Sequence, residues 1–282
     1  MEIRRKPAWL QKKISPSAHR EMEQMMGELQ LHTVCQEACC PNISECFRHK
    51  QATFLILGKV CTRLCRFCNV TKETPGPVDP QEPSRVAEAI VRLQLKHVVI
   101  TSPTRDDLSD GGAGQYAATL AAIRAAAPAT RIELLIPDFA GNRESLAQVM
   151  AARPDILGHN LETVPRLYHI RAGADYERSL EVLRRARELA PDIPTKSGLM
   201  LGLGETEAEV LAVLADLRRV GCRFLSLGQY LAPSRRHEPV HEYITPEQFE
   251  RLRQAALALG FDHVESGPYV RSSYMADQYQ QS

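Results

Sequence analysis

The stretch TFLILGKVCTRLCRFCNV, residues 53–70, joins a short apolar run to a loop that carries three cysteines. Its first five residues are almost wholly apolar, as strands buried on both faces of a parallel sheet tend to be. Amphipathic helical stretches separate this run from five further strand candidates, namely HVVITS (97–102), RIELLI (131–136), DILGHN (155–160), TKSGLML (195–201) and RFLSLG (223–228). Six strand-then-helix units with right-handed crossovers predict a parallel sheet that curls into a barrel.

The pattern predicts an α/β fold built as a partial (β/α)6 TIM-type barrel, with a doubly wound open sheet as the alternative topology. In both topologies the functional site lies at the carboxyl ends of the strands. We expect one structural domain, with the barrel over residues 53–265. Residues 1–52 would form an N-terminal extension that bears further cysteines, and residues 266–282 a C-terminal tail that closes the site.

The composition argues against several functional classes. With 35 Lys and Arg residues against 34 Asp and Glu, the net charge of +1 gives no overall field of the kind that nucleic-acid-binding proteins present. The sequence has no apolar run of about 18 residues, so we expect no membrane span. The N-terminus also lacks the apolar core of a secretory signal. We therefore expect a cytoplasmic protein, in which clustered cysteines favour metal binding over disulfides.

Seven of the eight cysteines lie between Cys35 and Cys68. The group that follows the first strand candidate has the spacing C-x3-C-x2-C and comprises Cys61, Cys65 and Cys68. Three thiolates on one short loop can hold three corners of a cubane iron–sulfur cluster and leave one iron open. Zinc is the alternative, although structural zinc prefers four ligands, usually in two C-x2-C pairs.

A second group lies upstream, with Cys35, Cys40 and Cys46 in the spacing C-x4-C-x5-C. Two zinc half-sites or a second cluster would both explain so many cysteines so close together. Cys39 breaks the simple count, because adjacent cysteines seldom bind the same metal atom.

The C-x3-C-x2-C loop is the signature of the radical S-adenosylmethionine superfamily, which this sequence resembles strongly. The upstream triplet makes the sequence similar to the lipoyl synthase family within it, and the resemblance runs from about residue 31 to the C-terminus. Further motifs typical of that family occur in chain order: SPTRDDLSDGGA, ELLIPDF, HNLETVPRLY, IRAGADYERSLEVL, TKSGLMLGLGE, GQYLAPS and RSSYMA. A radical enzyme of the biotin-synthase kind would share the loop, but not the upstream triplet paired with RSSY.

The resemblance implies two [4Fe-4S] clusters. The three loop cysteines would hold the cluster whose open iron binds S-adenosylmethionine and cleaves it to a radical. The upstream triplet would hold an auxiliary cluster that is dismantled to provide sulfur. Its fourth ligand would be Ser273, the second serine of the motif RSSY at residues 271–274. By position in the family, Cys39 is not a ligand.

Residues 198–205, GLMLGLGE, have the spacing G-x-M-x-G-x-x-E. It resembles a superfamily motif that lines the adenine pocket, so we expect Gly198, Gly202 and Glu205 to contact S-adenosylmethionine. A plain strand-to-helix turn, with Glu205 in the first helical turn, is the alternative. The other residues expected to bind the cofactor are polar groups at predicted rim positions of the barrel: Asn160, Glu162 and Lys196.

The activity that the resemblance implies is the insertion of sulfur at C6 and C8 of an octanoyl chain, which is carried on a lysine of a lipoyl-carrier protein or domain. It also implies an electron donor such as a ferredoxin or flavodoxin, and an iron–sulfur carrier that rebuilds the auxiliary cluster. We expect no nucleic-acid partner. A non-enzymatic zinc-binding module is the alternative from a different class.

Overall fold

The computed structural model describes residues 6–10, 23–38, 40–48 and 52–279 of the 282-residue chain. Within them, one sheet holds eight strands in chain order: β1 (His32–Thr33), β2 (Thr53–Leu55), β3 (His97–Thr101), β4 (Arg131–Leu135), β5 (Ile156–Gly158), β6 (Thr195–Leu201), β7 (Phe224–Gln229) and β8 (His263–Gly267). β1 pairs antiparallel with β2, whereas every later pair of neighbours is parallel. The sheet is open, with β1 and β8 as its edges.

Helices connect the parallel strands. The α-helices are α1 (Val34–Glu37), α2 (Ile43–Arg48), α3 (Glu82–Leu93), α4 (Ala113–Ala126), α5 (Arg143–Ala151), α6 (Tyr176–Leu189), α7 (Glu207–Arg219) and α8 (Pro246–Ala258), and residues 23–28 are also helical. Short 3-10 turns lie at Ala8–Leu10, Phe139–Gly141, Pro165–Ile170 and Ala276–Gln278.

The elements from β2 to α8 form the six predicted strand-then-helix units, and the prediction of an α/β partial barrel is confirmed. The strand order follows the chain without a reversal, so the doubly wound alternative is wrong. β8 adds a seventh parallel strand that the sequence pattern did not predict. β8 also crosses the predicted boundary between the barrel, residues 53–265, and the C-terminal tail, residues 266–282. The division into 1–52, 53–265 and 266–282 stays a prediction.

Alternation along the strands separates an apolar outer face from a polar interior. Val98 and Ile100 of β3 belong to an apolar cluster with residues of α3 and α4. A second apolar cluster joins β6, β7 and β8 to α7 and α8. On the inner face, Glu133 of β4 and Lys196 of β6 are paired across β5, at 3.0 Å between Nζ and Oε1. The interior therefore holds a buried ion pair.

The C-terminal segment enters the amino end of this interior. Tyr279 is fully buried, and its ring lies 5.4 Å from that of Phe224, measured between centroids. Lys196 Nζ lies 3.7 Å from the centroid of the Tyr279 ring. Arg131, the first residue of β4, donates a hydrogen bond to the Tyr279 carbonyl at 3.1 Å. Among the described residues, no helix has the length and apolar character to cross a membrane.

Candidate active site

The loop that carries Cys61, Cys65 and Cys68 begins shortly after β2 and is fixed by backbone hydrogen bonds to later parts of the chain. Cys61 N donates to Thr71 O at 2.8 Å, which closes the loop on itself. Thr62 N donates to Thr104 O, beyond the carboxyl end of β3, at 3.0 Å. The three cysteines therefore lie at the carboxyl ends of the strands, where the barrel prediction placed the site.

Two of the three thiols of this loop have raised pKa values. Burial raises the pKa of Cys65, and the charge of Cys61 adds to the effect while Arg171 opposes it. Burial raises the pKa of Cys68 to about 11, with further contributions from Cys65 and Cys61. The Cys65 and Cys68 thiols therefore keep their protons unless a cation stabilises the thiolates, which fits a role as ligands of iron.

The three loop cysteines do not form a site for a single metal ion. Across the part of the chain that the structure describes, no three His, Cys, Asp or Glu side chains converge closely enough to hold a single metal ion. A cubane cluster does not require this convergence, because each cysteine binds a different iron.

Arg63 anchors the cysteine loop through a buried ion network that sequence reasoning missed. Its guanidinium donates to Asp106 at 2.7 and 2.9 Å and to Asp138 at 2.7 Å. Asp138 also accepts from Arg178 of α6 at 2.8 Å. Burial raises the pKa of Asp138, but the hydrogen bonds and charges of Arg63 and Arg178 outweigh burial and hold it well below the usual range. The network ties the loop to the segments that follow β3 and β4.

Three of the residues predicted to bind S-adenosylmethionine lie together. A Cβ on Gly198 would come within 2.7 Å of Ser226 Oγ and 3.0 Å of Asn160 Oδ1, so only glycine fits there. Asn160 Nδ2 donates to Glu162 Oε1 at 3.0 Å and to Ser272 Oγ at 2.6 Å. Burial raises the pKa of Glu162, an effect that the Arg171 charge opposes.

Gly202 and Glu205 shape the loop between β6 and α7. Gly202 has a φ of +97°, and a Cβ there would lie 2.3 Å from the Glu242 carbonyl oxygen. The Glu205 carboxylate accepts hydrogen bonds from Gly202 N at 2.5 Å and from Leu203 N at 2.9 Å. Thr206 is the N-cap of α7, so Glu205 precedes the helix, and its predicted alternative place in the first helical turn is wrong. Cofactor contacts by Gly202 and Glu205 stay a prediction.

Lys196 lies away from the predicted rim. It is the second residue of β6, is fully buried and contacts both oxygens of Glu133, at 3.0 and 3.1 Å. Its position at the amino end of the strand differs from the carboxyl-end position expected of a cofactor ligand. Its role in cofactor binding remains a prediction.

The upstream cysteines and the C-terminal segment line one cavity. Its wall includes all four side chains that the resemblance assigned to an auxiliary cluster: Cys35, Cys40, Cys46 and Ser273. Burial, followed by the charges of Cys40 and Cys46, raises the pKa of Cys35, while hydrogen bonds from Thr53 lower it. The Cys35 thiol therefore favours its protonated form unless a cation stabilises the thiolate, and the four side chains offer one ligand for each iron of a cubane cluster. Cys39 lies outside the described residues.

Two further residues of this cavity were not predicted. Thr53 Oγ1 donates a hydrogen bond to Ser273 Oγ at 2.7 Å. His97 is buried, and within the described residues neither of its ring nitrogens has a hydrogen-bond partner. Its Nε2 lies 3.7 Å from Glu133 Oε2. Both are the first residues of buried strands, a position that carries no functional signal in the sequence.

The sequence matches known proteins over nearly its whole length. The model of the Radical SAM superfamily matches residues 55–217. A protein of Geobacter metallireducens named lipoyl synthase is 73% identical over 279 residues, which cover 99% of each chain. A lipoyl synthase of Caldanaerobacter subterraneus subsp. tengcongensis is 53% identical over 274 residues, which cover 97% of this chain and 96% of that protein.

Solved structures share the fold at low sequence identity. Methylornithine synthase (PylB) aligns with a TM-score of 0.56 and 13% identity, covering 81% of this chain and 76% of its own. HydG, a maturase of the [FeFe]-hydrogenase, aligns with a TM-score of 0.55 and 15% identity, covering 75% of this chain and 55% of its own. At these identities the likeness establishes the fold alone.

Proposed function

Because the chain belongs to the lipoyl synthase family of the radical S-adenosylmethionine superfamily, we propose that it inserts sulfur at C6 and C8 of an octanoyl group held by a lipoyl-carrier protein. Membership makes it a radical S-adenosylmethionine sulfurtransferase, whose family uses a [4Fe-4S] cluster and S-adenosylmethionine. The finer proposal is that it holds two clusters and sacrifices the second.

The observation that carries the proposal is the cavity shared by Cys35, Cys40, Cys46 and Ser273. These side chains come from opposite ends of the chain, and a structural role alone gives no reason for three thiols and a serine hydroxyl to share a wall. When bound, the cluster on the loop cysteines would supply the electron that cleaves S-adenosylmethionine to a 5′-deoxyadenosyl radical, and the auxiliary cluster would supply sulfur.

The chain's own residues would position these groups. Arg63, with Asp106 and Asp138, fixes the cysteine loop against the barrel rim. Gly198 and Gly202 let neighbouring parts of the protein pack closely against the backbone beside the proposed cofactor site. Asn160 links the residues proposed to bind the cofactor to the C-terminal segment through its hydrogen bond to Ser272.

The proposal includes partners and a location. The electron would come from a ferredoxin or flavodoxin, and an iron–sulfur carrier would rebuild the sacrificed cluster. Both belong to the cytoplasm, where the proposed enzyme would meet its octanoylated carrier.

Anaerobic reconstitution followed by a turnover assay tests the function. We expect about eight irons and about eight acid-labile sulfides per chain, the content of two cubane clusters. Incubation with S-adenosylmethionine, a strong reductant and an octanoyl-lysine peptide should then yield 5′-deoxyadenosine and a lipoyl-lysine product. Zinc without sulfide would favour a binding module. Formation of 5′-deoxyadenosine with no sulfur in the product, from fully loaded protein, would overturn the assignment.

A further inference from the structure

Thr53 contacts one of the proposed ligands of the auxiliary cluster. It is the first residue of β2 and is only 4% exposed. Its hydroxyl donates to Ser273 Oγ at 2.7 Å, and it lines the same cavity as Cys35. Thr53 and Ser273 thus meet beside the upstream cysteines, although 220 residues separate them in the sequence.

We propose that Thr53 is a positioning residue that holds Ser273 on the auxiliary cluster, an inference that rests on the proposed function. Ser273 would bind iron as an alkoxide, so its proton passes to solvent when the bond forms and returns when the bond breaks. A hydrogen bond to a charged oxygen is roughly twice as strong as one to a neutral oxygen. Thr53 therefore stabilises the iron-bound form of Ser273 more than the free hydroxyl.

The test uses the full-length chain with Cys61, Cys65 and Cys68 changed to Ala, so that the auxiliary cluster is observed alone. The readouts are the rate of iron loss to a ferrous chelator and the Mössbauer signature of the oxygen-bound iron. Thr53→Val keeps the side-chain shape without the hydroxyl, and we expect iron loss about tenfold faster, with the oxygen-bound signature weakened. Thr53→Ser keeps the hydroxyl and should stay within about twofold of the parent.

A double variant separates the hydrogen bond from packing. In a Ser273→Ala background, Thr53→Val should add nothing, because its proposed partner is already absent. The same acceleration in that background, equal rates for Thr53→Val and the parent, or a Thr53→Ser variant as labile as Thr53→Val would each overturn the proposal. If the parent chain binds no acid-labile sulfide, the proposed function itself fails and this inference fails with it. Normal sulfide with unaltered rates would overturn the role of Thr53 alone.

Discussion

Asn160 Nδ2 donates a hydrogen bond of 2.6 Å to Ser272 Oγ. Because Ser273 is the next residue, one short segment presents its first serine to the polar group around Asn160 and its second to the cysteine cavity. The group predicted to bind S-adenosylmethionine and the proposed auxiliary site are therefore joined by two adjacent residues. A substitution in the group around Asn160 should therefore also affect the segment that carries Ser273.

Ser272→Ala should loosen the C-terminal segment. Losing one hydrogen bond of about 1 kcal/mol would speed hydrogen exchange at the Tyr274 and Gln278 amides about fivefold. Asn160→Ala should have the same effect, and the double variant should exceed neither by much. Ser234→Ala, in an exposed loop, is the control and should leave this segment unchanged. Unaltered exchange in both single variants would show that the bond does not hold the segment.

The two cysteine groups should have separable roles. Cys65→Ala should abolish the cleavage of S-adenosylmethionine, since it removes one of three ligands of the first cluster. Cys40→Ala should retain some cleavage but lose sulfur insertion. Cys39→Ala, one residue away, is the matched control and should retain both activities. Measuring 5′-deoxyadenosine beside lipoyl product tests this, and equal loss of both in the Cys40 variant would contradict the division of labour.

Asp138→Asn should destabilise the metal-free chain. Its carboxylate is fully buried between Arg63 and Arg178, so neutralising it should lower the free energy of unfolding by about 3 kcal/mol in urea. The exposed pair Arg153–Asp192 supplies the control, and Asp192→Asn should cause no measurable change.

The same variant carries a pH signature. The pKa of Asp138 is lowered in the folded state, so its contribution is present above the unfolded value of about 3.9 and is lost as the pH falls through the folded value. The stability difference between the parent and Asp138→Asn should therefore shrink as the pH falls below about 4. A difference that grows on acidification would mean that the sign is wrong.

Gly202→Ala should weaken both the fold and the binding of S-adenosylmethionine. The positive φ and the close approach of the Glu242 carbonyl oxygen should together cost about 1–3 kcal/mol of unfolding free energy. Gly76→Ala is the control, because a Cβ there would have no atom within 4 Å. Chemical denaturation and equilibrium binding of S-adenosylmethionine measure the two effects. Equal free energies of unfolding for Gly202→Ala and Gly76→Ala would contradict the steric argument.

Lys196→Met should lower the free energy of unfolding by about 3–5 kcal/mol, because it leaves the buried Glu133 carboxylate without its ammonium. Combining it with Glu133→Gln should recover much of the lost stability, since neither position of the pair then carries a buried charge. Urea denaturation of the four members of this cycle gives the coupling energy. Strictly additive losses would show that the pair is not coupled.

The sequence predicted β2 to β7 because those strands are apolar enough to stand out between helices. β8, with the sequence HVESG, was not predicted because its polar side chains belong to the barrel interior. There His263 Nε2 and Glu265 Oε1 lie 2.8 Å apart. A strand with one polar buried face has no continuous apolar run. The two-residue β1 is too short to give any pattern.

The site was predicted as groups of residues rather than as contacts. Cysteine spacing indicated the two triplets, and the family resemblance alone indicated Ser273. The hydrogen bonds from Arg63 to Asp138 and from Thr53 to Ser273 join residues that are 75 and 220 positions apart in the sequence. At such separations the contact depends on the fold, and the sequence pattern does not predict it. Glu205 shows that even a local contact can escape prediction. Its carboxylate accepts a hydrogen bond from Gly202 N of its own loop, and the spacing of the motif does not specify this side-chain orientation.

The contact between Thr53 and Ser273 can form only late in the synthesis of the chain. At about 5–20 residues per second, a ribosome adds Ser273 roughly 10–45 s after Thr53, since 220 residues separate them. Asp106 and Asp138, the carboxylate partners of Arg63, are synthesised far sooner. The nascent chain therefore contains Arg63 and both of these partners while the upstream triplet still lacks Ser273. Any iron delivered to the upstream triplet before that moment would be held by its thiols alone.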